Sequence, residues 1–327
     1  MIFDDSIKNY AGSTYFLNNN FFKIQWIPDL FCNYSCSYCW PDSNSKTRNH
    51  LHVDKMISGL NGLKSKVNQM GIFNFRLSFA GGEPTVFPGF LDLIESYSND
   101  KIQKKQTMNI TTNLTQGEKW WISLKDKTKN LHALTIHASW HRESVGDVNE
   151  HRYKFLKIHD MFKNRNFRIT IVATPSQFDD VYSDALFFRK HGVKVILRTE
   201  RKIIKGVSMN HPDYSQDMLD SLLEWNVGNI EIEESFVHVE NGIKTFYDDV
   251  EQAITLNKTD YEGWLCYAGI MGVRIKPNGD ITRGFGCIDA KIGNITDDNY
   301  ILDITPKPCI TKRCSCASDM NIPKIKF

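Results

Sequence analysis

Between residues 22 and 197 short strand-like apolar runs alternate with helix-length segments, and this alternation limits the fold more than any other feature of the chain. Phe22-Lys23-Ile24-Gln25-Trp26-Ile27 reads as a first strand ended by Pro28, with a helix over 52–68 after it. Residues 74–79, 107–111, 131–136, 168–172 and 194–197 read as five more strands. Helical patterns over 90–97, 116–127, 148–163 and 179–190 separate them. Strands that alternate with helices build parallel β-α-β units, so the expected class is α/β, a partial (β/α)6 TIM-like barrel. Past residue 200 the pattern changes. Residues 214–225 read as a helix and 236–247 as a hairpin turning at Asn241-Gly242. A second hairpin pairs 272–275 with 280–282 across Pro277-Asn278-Gly279. A boundary near residue 260 is expected. It divides 1–260, the barrel with an elaboration over 200–260, from 261–327, a small cysteine-rich β-hairpin extension.

Composition excludes several classes of function. Hydrophobic residues make up 41% and charged residues 24%, enough for a sizeable core under a solvated surface. The formal net charge of +2 creates no field that calls for nucleic acid. No apolar run nears the length of a membrane span. Residues 1–12 lack the apolar segment of a signal peptide. Eight cysteines without that signal point to free thiols in a reducing, cytoplasmic setting.

The first strand is followed directly by Cys32, Cys36 and Cys39, spaced by three residues and then by two. Thiolates are the usual ligands of iron–sulfur clusters. Three on one short loop hold three irons of a cubane and leave the fourth open to a cofactor, as a catalytic metal keeps a free position. Zinc takes four ligands, often as two cysteine pairs, and the nearest other cysteine is Cys266. A disulfide framework suits small secreted chains instead. Other distinctive residues fall after the next strands: Gly81-Gly82-Glu83-Pro84 after the second, Asn113 after the third, His137 and Ser139 at the fourth, Arg198 at the sixth. All lie on one rim of the expected barrel, where loops after strand C-terminal ends carry chemistry.

The cysteine spacing with Tyr38 before the last cysteine, together with Gly81-Gly82-Glu83-Pro84, resembles the radical S-adenosylmethionine (radical SAM) enzymes over residues 22–200. The C-terminal cysteines resemble the Twitch and SPASM extensions, which carry auxiliary 4Fe–4S clusters, although the spacing departs from the usual one. The resemblance implies two cofactors. S-adenosyl-L-methionine would sit on a 4Fe–4S cluster held by Cys32, Cys36 and Cys39, and one auxiliary 4Fe–4S cluster would use four of Cys266, Cys287, Cys309, Cys314 and Cys316. Gly81 and Gly82 would let the backbone approach the cofactor, Glu83 would accept from its ammonium, and Pro84 belongs to the same cofactor-binding segment; the alternative is a simple strand-to-helix turn. Asn113 is a ribose contact or a turn former. Ser139 and His137 are ribose, methionine or substrate contacts. Arg198 meets the cofactor carboxylate or makes a surface ion pair, and Tyr38 packs by the adenine or in the core. Backbone groups of Val172-Ala173-Thr174-Pro175 line the adenine pocket. His137 and His141 lie four apart on a strand and its exit loop, so no metal is assigned to them. Cys309 is a cluster ligand or a free thiol that donates a hydrogen atom. A structural zinc is the alternative for the whole C-terminal set.

The implied activity is reductive cleavage of S-adenosylmethionine and abstraction of a substrate hydrogen by the 5′-deoxyadenosyl radical, with a flavodoxin- or ferredoxin-type reductant. About twenty residues precede the first strand, too few for an added leader-peptide-binding domain. This favours net oxidation of a small polar or sugar-like molecule over modification of a peptide by cross-linking or epimerisation. A non-catalytic iron–sulfur or zinc interaction protein is the alternative of another class.

Overall fold

The structure, a computed structural model, describes residues 8–13, 20–40, 44–204, 207–226, 235–247, 250–284, 287, 291–297, 299–314 and 316–327. The expected alternation is present. Strands β2 (Phe21–Trp26), β3 (Asn74–Phe79), β4 (Lys105–Thr112), β5 (Ala133–Trp140), β6 (Asn166–Ala173) and β7 (Lys194–Thr199) run parallel, in sequence order. Helices α1 (Val53–Gln69), α2 (Phe90–Ser98), α3 (Glu118–Lys127), α4 (Val148–Met161) and α5 (Phe178–Lys190) connect them. Strand β5 continues past its expected end because Ser139 and Trp140 pair with Thr170 and Ile171 of β6. The Trp140 ring is then clamped edge-on by Phe155 and Phe188.

The pleat sorts the side chains of these strands by period two. Phe22, Ile24 and Trp26, Phe75, Leu77 and Phe79, then Ile169 and Ile171 belong to the main core, beneath the helices. The alternate positions, among them Lys23, Gln25, Arg76, Ser78, His137, Arg168 and Thr170, face a cavity inside the curve of the sheet. Helix α4 starts where the Asp147 carboxylate accepts from the backbone N–H of Asn149 and Glu150 at 2.8 and 3.0 Å, a side-chain cap on two otherwise orphan donors.

The C-terminal hairpin does not stand apart from this sheet. Strand β13 (Gly272–Ile275) pairs parallel with β2, and β14 (Asp280–Thr282) and β15 (Lys291–Asn294) follow antiparallel, giving nine strands in the order β15-β14-β13-β2-β3-β4-β5-β6-β7. Among the described residues β7 and β15 are edges, so the barrel stays open. Beyond β7 come a ribbon of β8 (Arg201–Ile204) and β9 (Val207–Asn210) and then helix α6 (Gln216–Asn226).

A second sheet gathers the chain's two ends. Its six strands are β11 (Ile243–Tyr247), β10 (Phe236–Glu240), β1 (Asn9–Ser13), β17 (Lys324–Lys326), β12 (Leu265–Cys266) and β16 (Lys307–Pro308), in that order and antiparallel. Helix α7 (Val250–Thr255) and the short helix α8 (Ala317–Met320) lie near it. Its own apolar core holds Phe236, Tyr261, Trp264 and Met320 together with Cys266, Cys309 and Cys314.

Candidate active site

The loop after β2 is fixed from three sides. The buried Asp29 carboxylate accepts from Phe31 N and Asn49 N and pairs with Arg48 at 3.2 Å. Lys46 donates to the carbonyls of Cys32 and Tyr34, and Cys32 N donates to Ser45 O. Across the barrel mouth, Ser37 N and Oγ donate to the carboxylate of Glu143, and Cys36 Sγ lies 3.5 Å from Ser144 Oγ. Those two residues belong to a 3-10 turn, Arg142–Ser144, directly after β5.

Cys32, Cys36 and Cys39 lie within electrostatic reach of one another. Burial pushes all three thiols up, Cys39 to about 11, and a metal bound to them would displace their protons. Among the described residues no three His, Cys, Asp or Glu side chains close on one point as the ligands of a single ion must. A cubane asks for something different, because each thiolate takes a separate iron. The trio fits that donor set.

Gly81 and Gly82 act within the chain. Gly81 has φ +122°, and a Cβ on Gly82 would lie 2.1 Å from the carbonyl oxygen of Phe31. Gly82 N and Glu83 N donate to Asp29 O and Phe31 O. The glycines therefore let this segment press against the cysteine loop, a closer reason for their presence than approach to a ligand. Pro84 is buried at the start of a 3-10 turn, Pro84–Val86. Glu83 is fully inside, its carboxylate accepting from Thr85 N, Thr85 Oγ1, Thr112 Oγ1 and Asn113 N at 3.1, 2.5, 2.8 and 2.6 Å. Burial raises its pKa and these donors oppose the rise. Asn113 is buried too. Its Nδ2 donates to Asn33 Oδ1, and its Oδ1 accepts from Thr115 N and Oγ1, which ties the β4 exit to the cysteine loop.

The cavity has a volume of about 490 Å³. Cys36, Tyr38, Cys39 and Gly81 form its wall at the cysteine loop, and Ser139 and Arg198 line it from β5 and β7. Cys32, Gly82, Glu83, Pro84 and Asn113 are not among the residues that line it. The phenol of Tyr38, pushed up by burial, shares a hydrogen bond of 2.9 Å with His141 Nδ1 and stacks on that ring. Burial depresses His141 to about 4, which keeps the imidazole neutral. Arg198 Nε lies 3.7 Å from the Glu251 carboxylate and has no hydrogen-bond partner among the described residues. Of the segment 172–175, Val172 lines the cavity.

The C-terminal cysteines separate into two environments. Cys266, Cys309 and Cys314 share the second core, and Cys287, pushed up to about 12 by burial, has Cys266 and Cys309 among its nearest charges. Cys316 lines the cavity, near Asp319, Arg274 and Lys23, and is also within electrostatic reach of Cys314. Of the C-terminal thiols, Cys316 is therefore the one on the cavity wall among the described residues, and Cys309 is enclosed with its neighbours. At the centre of the set lies Lys324, 1% exposed, its ammonium donating to the carbonyls of Asp319, Met320 and Ile322. Burial works against its charge, and the neighbouring sulfurs of Cys314, Cys266 and Cys309 outweigh that and raise its pKa.

Sequence reasoning missed Lys324 and the inward charges Lys23, Arg76 and Arg168. For the latter a signal existed: strands buried on both faces of a parallel sheet read as apolar runs, whereas Phe-Lys-Ile-Gln-Trp and Phe-Arg-Leu-Ser-Phe carry polar groups at every second position.

Residues 26–188 match the model of the Radical SAM superfamily. The fold is similar to that of Streptococcus suis SuiB in its crystal structure bound to S-adenosylmethionine, with a TM-score of 0.52 and 15% identity over 85% of this chain. The matched region is 62% of the SuiB chain, so this chain spans less than two thirds of that protein. BtrN, solved in complex with AdoMet and 2-DOIA, aligns with 84% of this chain and 78% of its own at 15% identity and a TM-score of 0.36. No curated protein matches the chain. Through the domain formed by residues 26–188, the chain belongs to the radical SAM superfamily.

Proposed function

We propose that the chain abstracts a hydrogen atom from a small polar substrate held in the cavity and oxidises it with help from an auxiliary 4Fe–4S cluster. The observation that carries this reading is the meeting of Cys36, Cys39 and Gly81 with the polar strand ends Ser139 and Arg198 on one cavity wall. When bound, the first cluster and S-adenosylmethionine supply one-electron cleavage of a carbon–sulfur bond and a radical able to take hydrogen. The chain's own part is placement. Cys32, Cys36 and Cys39 would hold three irons and leave the fourth to S-adenosylmethionine, and the strand ends would hold the substrate beside that cofactor. Tyr38 and His141 close one wall as a neutral pair, which adds no charge beside the reacting centre. Cys266, Cys287, Cys309 and Cys314 would hold the auxiliary cluster, with Lys324 as a buried countercharge to its thiolates.

The test is the triple variant of Cys32, Cys36 and Cys39 to alanine, reconstituted anaerobically with iron and sulfide and given a strong reductant. It should form no 5′-deoxyadenosine while keeping about four irons per chain at the C-terminal set. Formation of 5′-deoxyadenosine by that variant would sink the reading.

A further inference from the structure

The exit of β5 is fastened from behind by one carboxylate. Asp184 on α5 is fully buried, and it accepts from Trp140 Nε1 and Arg142 Nη1, each at 2.8 Å, and from Nε and Nη2 of Arg152 on α4. Arg142 Nη2 also reaches Asp180, at 3.2 Å. Charge-assisted bonds from two guanidinium groups and an indole N–H leave such a carboxylate one arrangement. The 3-10 turn Arg142–Ser144 therefore has a fixed root, and its second and third residues reach forward to the cysteine loop.

Glu143 and Ser144 meet that loop at two consecutive residues. The Glu143 carboxylate accepts from Ser37 N at 2.5 Å and from Ser37 Oγ at 2.8 Å, and Ser144 Oγ lies 3.5 Å from Cys36 Sγ. Toward a thiol a hydroxyl either donates or accepts. A thiolate on iron only accepts, so there the Ser144 proton points at the sulfur. The Tyr38 phenol acts on the same sulfur from within the loop. Hydrogen bonds to the sulfurs and nearby charge are a protein's means of setting a cluster's reduction potential. Reduction adds one electron and breaks no bond at Cys36. It makes the sulfurs more negative, so a donor favours the reduced form. The Glu143 charge works the other way, but that carboxylate is exposed and screened by water and salt, whereas the Ser144 contact is direct.

We propose that Ser144 is a positioning residue for the cluster of Cys32, Cys36 and Cys39: its hydroxyl donates to the Cys36 sulfur and makes the cluster easier to reduce, and Glu143 clasps Ser37 so that the contact persists. This rests on the reading of the three cysteines as cluster ligands. It gives the exit of β5, far from the cysteines in sequence, a part in the electron uptake that precedes cofactor cleavage.

The reconstituted full chain is reduced anaerobically with titanium(III) citrate at a series of set potentials, and the reduced cluster is followed by electron paramagnetic resonance. The triple alanine variant of Cys32, Cys36 and Cys39 supplies the C-terminal signal, which is subtracted. Ser144→Ala should lower the midpoint potential by about 30–60 mV, a loss of about three- to tenfold in the reduction equilibrium at about 59 mV per tenfold for one electron. Ser144→Thr keeps the hydroxyl and should restore most of the shift. In the iron-free chain, Glu143→Ala should speed hydrogen exchange at the Ser37 amide several-fold, because that N–H loses its acceptor. An unchanged potential in Ser144→Ala, an equal shift in Ser144→Thr, or unchanged Ser37 exchange in Glu143→Ala overturns the proposal. The triple variant separates this claim from the one beneath it. If that variant loses a signal and Ser144→Ala is not shifted, the cysteines are ligands and the part given to Ser144 is wrong. If the triple variant loses no signal, the cysteines are not ligands and both claims fall.

Discussion

The four hydrogen bonds on the Glu83 carboxylate come from two consecutive loops, at Thr85 and at Thr112-Asn113, so one buried side chain clasps the exits of β3 and β4. Removing it leaves buried donors unsatisfied. Glu83→Ala is expected to destabilise the protein by on the order of 3 kcal/mol, seen as a lower unfolding midpoint in denaturant, together with loss of 5′-deoxyadenosine formation. A fall in cofactor affinity at unchanged stability would instead place the carboxylate on the cofactor's ammonium. His141 carries a pH dependence of definite sign. Its folded pKa of about 4 lies below the ordinary 6.5, so the unfolded chain binds the proton first as pH falls through that window. Its contribution is fully present above about pH 6.5 and is lost toward pH 4. Thermal unfolding between roughly pH 8 and pH 5 should show a steeper acid loss in the wild type than in His141→Gln. At this scale the cysteine trio was legible because ligand spacing within one loop is local. The surroundings of Glu83 were not, since its partners lie up to thirty residues away on another strand's exit.

At the scale of elements, the six barrel strands and their helices were legible because period two and period 3.6 are written in contiguous residues. Strands β1 and β17 were not, because neither alternates strongly and each exists through pairing with the other end of the chain. The C-terminal cysteines show the same division. Their number suggested one cluster with a thiol to spare, but only the packing of β12, β16 and the loops after them distinguishes the members. With Cys266, Cys309 and Cys314 in one apolar core and Cys316 on the cavity wall, Cys316→Ala should keep about eight irons per chain after reconstitution. Cys314→Ala should fall to about four. The reverse result would make Cys316 a ligand and return the spare thiol to the second core.

For the whole molecule, the two sheets join ends that are far apart in sequence. Strand β17 lies between β1 and β12, and Tyr10 and Leu265 both pair with Ile325. Ending the chain after Ile322 should therefore open the six-stranded sheet, expose the second core, and reduce bound iron from about eight to about four per chain. Unchanged iron content would mean that the cysteines hold their positions without this strand. The same pairing dictates an order of assembly. Neighbouring strands β2 to β7 leave the ribosome in the order in which they pair, so the cysteine-loop end of the barrel forms while synthesis continues. Strand β1 leaves first and finds its last partner about 310 residues later, on the order of half a minute at ordinary rates of synthesis. A nascent chain thus brings its cysteine loop together well before the proposed second cluster has a place to form.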